Sequence, residues 1–277
     1  MDVTARNCVR VKGDGQPVLM FAHGFGCDQN VWRHIAPKYE DRSTTVLFDY
    51  VGAGASDLRA YDHTRYSALN GYAQDVIEIC DSLKLPPLVF VGHSVSAIIG
   101  VLAAERRPDL FQSLVLVCPS PRYSDTDGYI GGFSEQDVLE LLDLMDINHM
   151  EWAANLAPMA MGNADRPELS AELEANFCRT DPEIAKEFAR ATFLSDHRDA
   201  LANVRVPTLI MECKEDVLAP PEVGRYMEAH IRGSRKVTLE ATGHCPHLSA
   251  PDQVTRALDD FLADQAAPRA TEWPSAA

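Results

Sequence analysis

Short apolar runs alternate along the chain with stretches whose apolar positions recur every three or four residues. The runs are Val18–Ala22 (VLMFA), Thr44–Phe48 (TTVLF), Leu88–Val91 (LVFV), Ser113–Cys118 (SLVLVC), Thr208–Met211 (TLIM) and Lys236–Leu239 (KVTL). Each is rich in β-branched or aromatic residues and almost continuous in hydrophobicity, the pattern of strands covered on both faces. Between them, Tyr72–Leu83 (YAQDVIEICDSL) and Ser96–Arg106 (SAIIGVLAAER) carry helical spacing and predict crossover helices. Strands alternating with helices predict an α/β protein with a mostly parallel sheet flanked by helices.

The alternation stops between about Arg122 and Asp196. Four helices are predicted there and no strand: Glu135–Asp146, His149–Met161, Pro167–Arg179 and Pro182–Leu194. Ser134 ahead of an acidic first turn and Asp181 ahead of Pro182 are start signals for the first and last of them. A helical insert between two strands reads as a cap over one sheet edge, and such boundaries favour enclosed apolar ligand sites. The expected organisation is a core of residues 1–121 and 197–263 with a helical cap at 122–196 inserted in it. A tail at 264–277, DQAAPRATEWPSAA, with two prolines and no apolar period, is expected to be disordered.

Composition narrows the function. Among 277 residues, 46% are hydrophobic and 24% charged, and no apolar run has the length of a membrane span. The N-terminal MDVTARNCVRVKGDGQP lacks the apolar core of a signal peptide. Seven scattered cysteines without a C-x-x-C pair suit reduced thiols, so the expected compartment is the cytoplasm. A balance of 25 basic to 41 acidic residues gives a net charge of −16, which disfavours nucleic acid and anionic membranes as partners.

The chemistry concentrates at VGHSVSAIIG, Val91–Gly100, where strand, sharp turn and helix follow one another. This is the setting of a nucleophile elbow, G-x-S-x-G, with Ser94 as the nucleophile. Ser96 replaces the motif's last glycine, a small residue where tight packing is wanted. A serine needs a base, and the base needs an orienting acid. After TLIM come Glu212, Glu215 and Asp216; after KVTL, in ATGHCPHLSAP, come His244 and His247. The order Ser, acid, His is that of α/β-hydrolases. Asp216 is placed five residues beyond its strand, in a loop, while Glu215 reads as a surface charge and His247 as a structural histidine. His244, Cys245 and His247 also raise a metal site, but the set lacks a full complement of regularly spaced ligands. HGFG, following the first strong strand, supplies one oxyanion donor and the residue after the nucleophile the other, so Phe25 and Val95 offer the backbone N–H groups.

HGFGCDQNVW, FDYVGAGASD, GHSVSAIIG, RRPDLF, PSPRY, GGF and GHCPHLSAP together resemble the RsbQ-like α/β-hydrolases, which include the bacterial stress regulator RsbQ and the plant karrikin and strigolactone receptors. The resemblance runs from about Asn7 to Leu262, and GHSVS is the elbow form of the plant receptors. It implies an α/β-hydrolase fold with a four-helix cap and a triad of Ser94, Asp216 and His244. It implies Phe25 and Val95 as oxyanion donors, and a pocket lined by Phe133, Leu142, Trp152, Phe193 and Leu218. Leu156, Ala157 and Met159 stand where further aromatic residues are expected, which implies a differently shaped or roomier pocket.

The expected activity is serine hydrolysis of a small apolar ester or butenolide-type lactone through an acyl-enzyme, by a monomer without metal or organic cofactor. Two alternatives accompany it. One is a signalling protein that binds or slowly hydrolyses a small ligand and activates a regulatory partner such as a phosphatase; the other is hydrolysis of carbon–carbon bonds.

Overall fold

Strands β2 (Val18–Ala22) and β4 (Leu88–His93) are buried at every position, which fits their unbroken apolar sequence and places them at the centre of the sheet. The computed structural model describes residues 2–266 and contains one seven-stranded sheet. Its other members are β1 (Arg10–Lys12), β3 (Thr44–Leu47), β5 (Phe111–Val117), β6 (Thr208–Glu215) and β7 (Arg235–Thr242), in the spatial order β1-β3-β2-β4-β5-β6-β7. All neighbouring pairs are parallel except β1 with β3. The pattern predicted this mostly parallel sheet, and the resemblance implied its α/β-hydrolase fold.

Alternate side chains divide the core. Met20, Phe90, Leu114 and Leu116 face one layer, built from the helices Leu69–Leu83, Val95–Arg106 and Pro221–His230. Phe21, Val91, Val115, Val117 and Met211 face the other, covered by Pro251–Ala266 through Val254, Ala257, Leu258 and Phe261 and by the insertion between β5 and β6. That last helix runs through Ala266, so residues 264–266 are helical where a disordered tail was expected; residues 267–277 lie outside the described residues.

The strands depart from expectation at β1 and at the ends of β4, β6 and β7, which continue to His93, Glu215 and Thr242. β1 is exposed at all three positions and pairs antiparallel on the sheet edge, so it has no apolar signature. β6 continues four residues beyond Met211 because Glu212 is buried and held by Lys236 and by Thr238 Oγ1 at 2.7 Å, both from β7. Asp216 therefore follows its strand directly.

The insertion contains the helices Glu135–Ile147, His149–Met161, Pro167–Arg179 and Pro182–Phe193. A reciprocal capping box between Ser134 and Asp137 starts the first, and the Asp181 carboxylate accepts from Glu183 and Ile184 amides at the start of the last. No helix among the described residues is long and apolar enough to cross a membrane.

Candidate active site

The chain passes from β4 to the elbow helix Val95–Arg106 through one residue, Ser94. Its φ of 56° and ψ of −124° lie in a region that an L-residue occupies at a cost of about 1–3 kcal/mol. The strained turn sets the Ser94 hydroxyl at the carboxyl end of the sheet, 5% exposed.

Asp216 and His244 complete a hydrogen-bonded chain. Asp216 Oδ1 accepts from the amides of Leu218 (2.9 Å) and Ala219 (3.2 Å), which turns Oδ2 toward His244 Nδ1 at 2.7 Å. A carboxylate only accepts, so Nδ1 carries the proton and Nε2 is free to accept from Ser94 Oγ, also at 2.7 Å. Tyr123 Oη lies 3.4 Å from the same Oγ. Burial keeps that phenol neutral by pushing its pKa up. Since the serine proton is committed to His244, Tyr123 is the donor in that contact.

Backbone contacts fix the histidine loop. The His244 amide donates to Ala160 O and the Gly243 amide to Glu215 O, each at 2.7 Å. Gly243 has φ 87°, and a Cβ there would meet Met161 O at 1.8 Å. Gly243→Ala is therefore expected to cost at least about 2 kcal/mol in urea unfolding, with activity falling as the loop is displaced from Met161.

The oxyanion candidates are backbone amides on two separate segments. The Val95 amide opens the elbow helix, where no carbonyl four residues back can accept it, and among the described residues the Phe25 amide has no acceptor either. Gly24 lets this loop lie against the elbow, since a Cβ there would meet His93 Nδ1 at 2.5 Å.

Ser94 and His244 border a small cavity of about 30 Å³. Phe193 and Leu218 line it as expected; Phe133, Leu142 and Trp152 do not. Trp152 lies behind Phe25 and Phe177, with ring centroids 5.9 and 5.1 Å away, so those rings separate it from the space. Leu142 points into the core. Phe133 acts through its backbone, its amide donating to Tyr123 O at 3.2 Å. Tyr123, Leu173 and Phe177 supply walls to which the sequence gives no pointer, and Leu156 lines the cavity at one of the positions where an aromatic residue is expected. The cavity is narrow rather than roomy, because Leu173 and Phe177 fill it from the helix Pro167–Arg179, while Met159 faces solvent.

His93 was also unassigned, although it sits inside the elbow motif. Its Nε2–H donates to His244 O at 2.7 Å, and burial, with His244 beside it, holds its pKa down to about 3, so it stays a neutral donor. His247 packs its ring, tilted, between Trp32 and His93 at 4.9 and 4.3 Å and has no polar partner among the described residues. Glu215 is exposed. Among the described residues, two groups of potential metal ligands have their atoms within 4.8 Å: His93, Cys245 and His247, and Cys118, Asp216 and His244. In the second, His244 and Asp216 are already committed to each other, to Ser94 and to two amides, which suits a proton relay better than a coordination sphere. The two cavity thiols are poor nucleophiles: burial pushes Cys27 up to about 12 and Cys245 well above its usual range.

The alpha/beta hydrolase family matches residues 19–257 of the chain. A strigolactone esterase of Arabidopsis thaliana is 40% identical over 251 residues, covering 90% of this chain and 94% of its own. A karrikin insensitive 2 receptor of Petunia hybrida is 39% identical over 251 residues, with coverages of 90% and 93%. A solved hydrolase from Oleispira antarctica superposes with a TM-score of 0.93 at 44% identity, covering 95% of this chain and 97% of its own.

Proposed function

The chain belongs to the alpha/beta hydrolase family and is a hydrolase, and we propose that it cleaves a small, largely apolar ester or butenolide-type lactone through an acyl-enzyme on Ser94. The observation that carries this reading is the unbroken chain Asp216–His244–Ser94 opening on an apolar cavity. His244 Nε2 takes the Ser94 proton as Oγ attacks the carbonyl. Phe25 and Val95 N–H groups hold the oxyanion, and Asp216 stabilises the imidazolium. His244 then protonates the leaving oxygen, and a water activated by the same nitrogen releases the acid. In this reading residues 1–121 and 197–263 are the catalytic core, working in the cytoplasm, and 122–196 the cap that excludes water. The narrow cavity favours a slim substrate whose entry parts the cap side chains.

Incubation with nitrophenyl acetate and with a synthetic butenolide analogue tests this. Intact-mass and peptide analysis at single turnover should find the acyl group on Ser94. If neither compound is consumed, or the label lies on another residue, the reading fails.

A signalling role is a second reading, favoured by the exposed apolar residues Leu139, Ile147 and Met150 on the outer helices, with Ile147 83% exposed. It is supported by the receptor among the relatives. Release slower than acylation, with an adduct persisting on His244, would favour it over rapid metabolism.

A further inference from the structure

The proposed mechanism needs two amides from separate segments, Phe25 on the loop after β2 and Val95 on the elbow helix, to converge on one oxygen. Ser96 ties those segments together. Fully buried, its hydroxyl donates to His23 O, and Tyr50 Oη lies 3.0 Å away. A serine has one proton to give, so Tyr50 donates to Ser96.

The network continues through His23. The Tyr50 amide donates to His23 Nε2 at 3.3 Å, which leaves the proton on Nδ1, and Nδ1–H donates to Gly24 O at 2.9 Å. The Tyr50 and His23 rings pack edge to face at 5.1 Å. Gly24 O belongs to the peptide unit that carries the Phe25 N–H. That unit is planar, with C=O and N–H pointing in opposite directions, so gripping the carbonyl aims the amide. Ser96 holds the His23 end of this grip and is covalently next to Val95, the other donor.

From this geometry we infer that Ser96 is a positioning residue: acting with His23 and Tyr50, it sets the Phe25 amide relative to Val95 and thereby tunes the oxyanion site. The inference rests on the hydrolase reading above. Removing the hydroxyl leaves both amides in place and frees their relative orientation, an error of the kind that lowers turnover without loosening ground-state binding.

The test compares the full-length wild type with Ser96→Ala and Tyr50→Phe on a nitrophenyl ester and on an alkyl boronic acid, which forms a tetrahedral anion on the nucleophile. For Ser96→Ala, kcat should fall about tenfold and the boronate inhibition constant rise by a similar factor, with KM within about twofold. Tyr50→Phe should show the same pattern at about threefold, and it carries the test should Ser96→Ala fail to fold. Unchanged kcat and boronate affinity, even with a lowered Tm, would make Ser96 merely structural and overturn the inference alone. A rise in KM at constant kcat would do the same. A wild type that neither turns over the ester nor binds the boronate would overturn the hydrolase reading, and this inference with it.

Discussion

Ser94→Ala is expected to lower kcat on a nitrophenyl ester about a millionfold, the scale seen when a triad nucleophile is removed. In the native site Ser94 Oγ is the group held 2.7 Å from His244 Nε2, so alanine leaves the base facing an empty position. Catalysis that survives would come from the oxyanion amides and from substrate binding, about 10³–10⁴-fold over water. The fold should tolerate the change. Alanine bears the same backbone strain at φ 56° as serine, and the Ser94 hydroxyl makes no capping bond to the elbow helix. Steady-state kinetics beside a thermal melt checks both halves. Activity within tenfold of wild type, in a protein that melts at the same temperature, would remove Ser94 from the nucleophile's role.

The elbow was readable because its signal is local: an apolar strand, a sharp turn at Ser94 and a helix stand within one short stretch, and β4 is buried on both faces. The chain order Ser, acid, His then supplied partners from the two later strand ends. What sequence could not supply was tertiary direction. Trp152 looked like a pocket wall because it is large and lies on an insertion helix, yet its face of the helix meets Phe25 and Phe177. Tyr123 and Phe177 carry no local sign that they approach Ser94 from outside the elbow. β6 read short because Glu212 interrupts its apolar run, and only the Lys236 and Thr238 partners on β7 make that carboxylate compatible with a strand. The helix Pro251–Ala266 was legible in principle, since Val254, Ala257, Leu258 and Phe261 keep helical spacing, but frequent charges dilute them. Ser96 appeared as a departure from a motif. Its partners, His23 and Tyr50, lie 73 and 46 residues away in the chain, and they give the substitution its physical sense.

Asp216→Asn is expected to reduce kcat about 10⁴-fold and to be at least as damaging as Asp216→Ala. The reason lies in what already holds the carboxylate. Leu218 and Ala219 amides point at Oδ1, so an asparagine is driven to place its oxygen there, because its NH₂ group would set donor against donor. The NH₂ group then occupies the position of Oδ2, 2.7 Å from His244 Nδ1, and Nδ1 must accept. That moves the imidazole proton to Nε2, facing Ser94 Oγ, where a base needs a lone pair. Alanine leaves the ring without a partner but free to adopt either tautomer, so a fraction of molecules keeps a competent base. Kinetics of the two variants at one pH, with imidazole ¹⁵N shifts reporting the tautomer, separates these outcomes. An asparagine variant ten times more active than the alanine variant would mean that Asp216 acts by orienting the imidazole ring rather than by setting the proton's place.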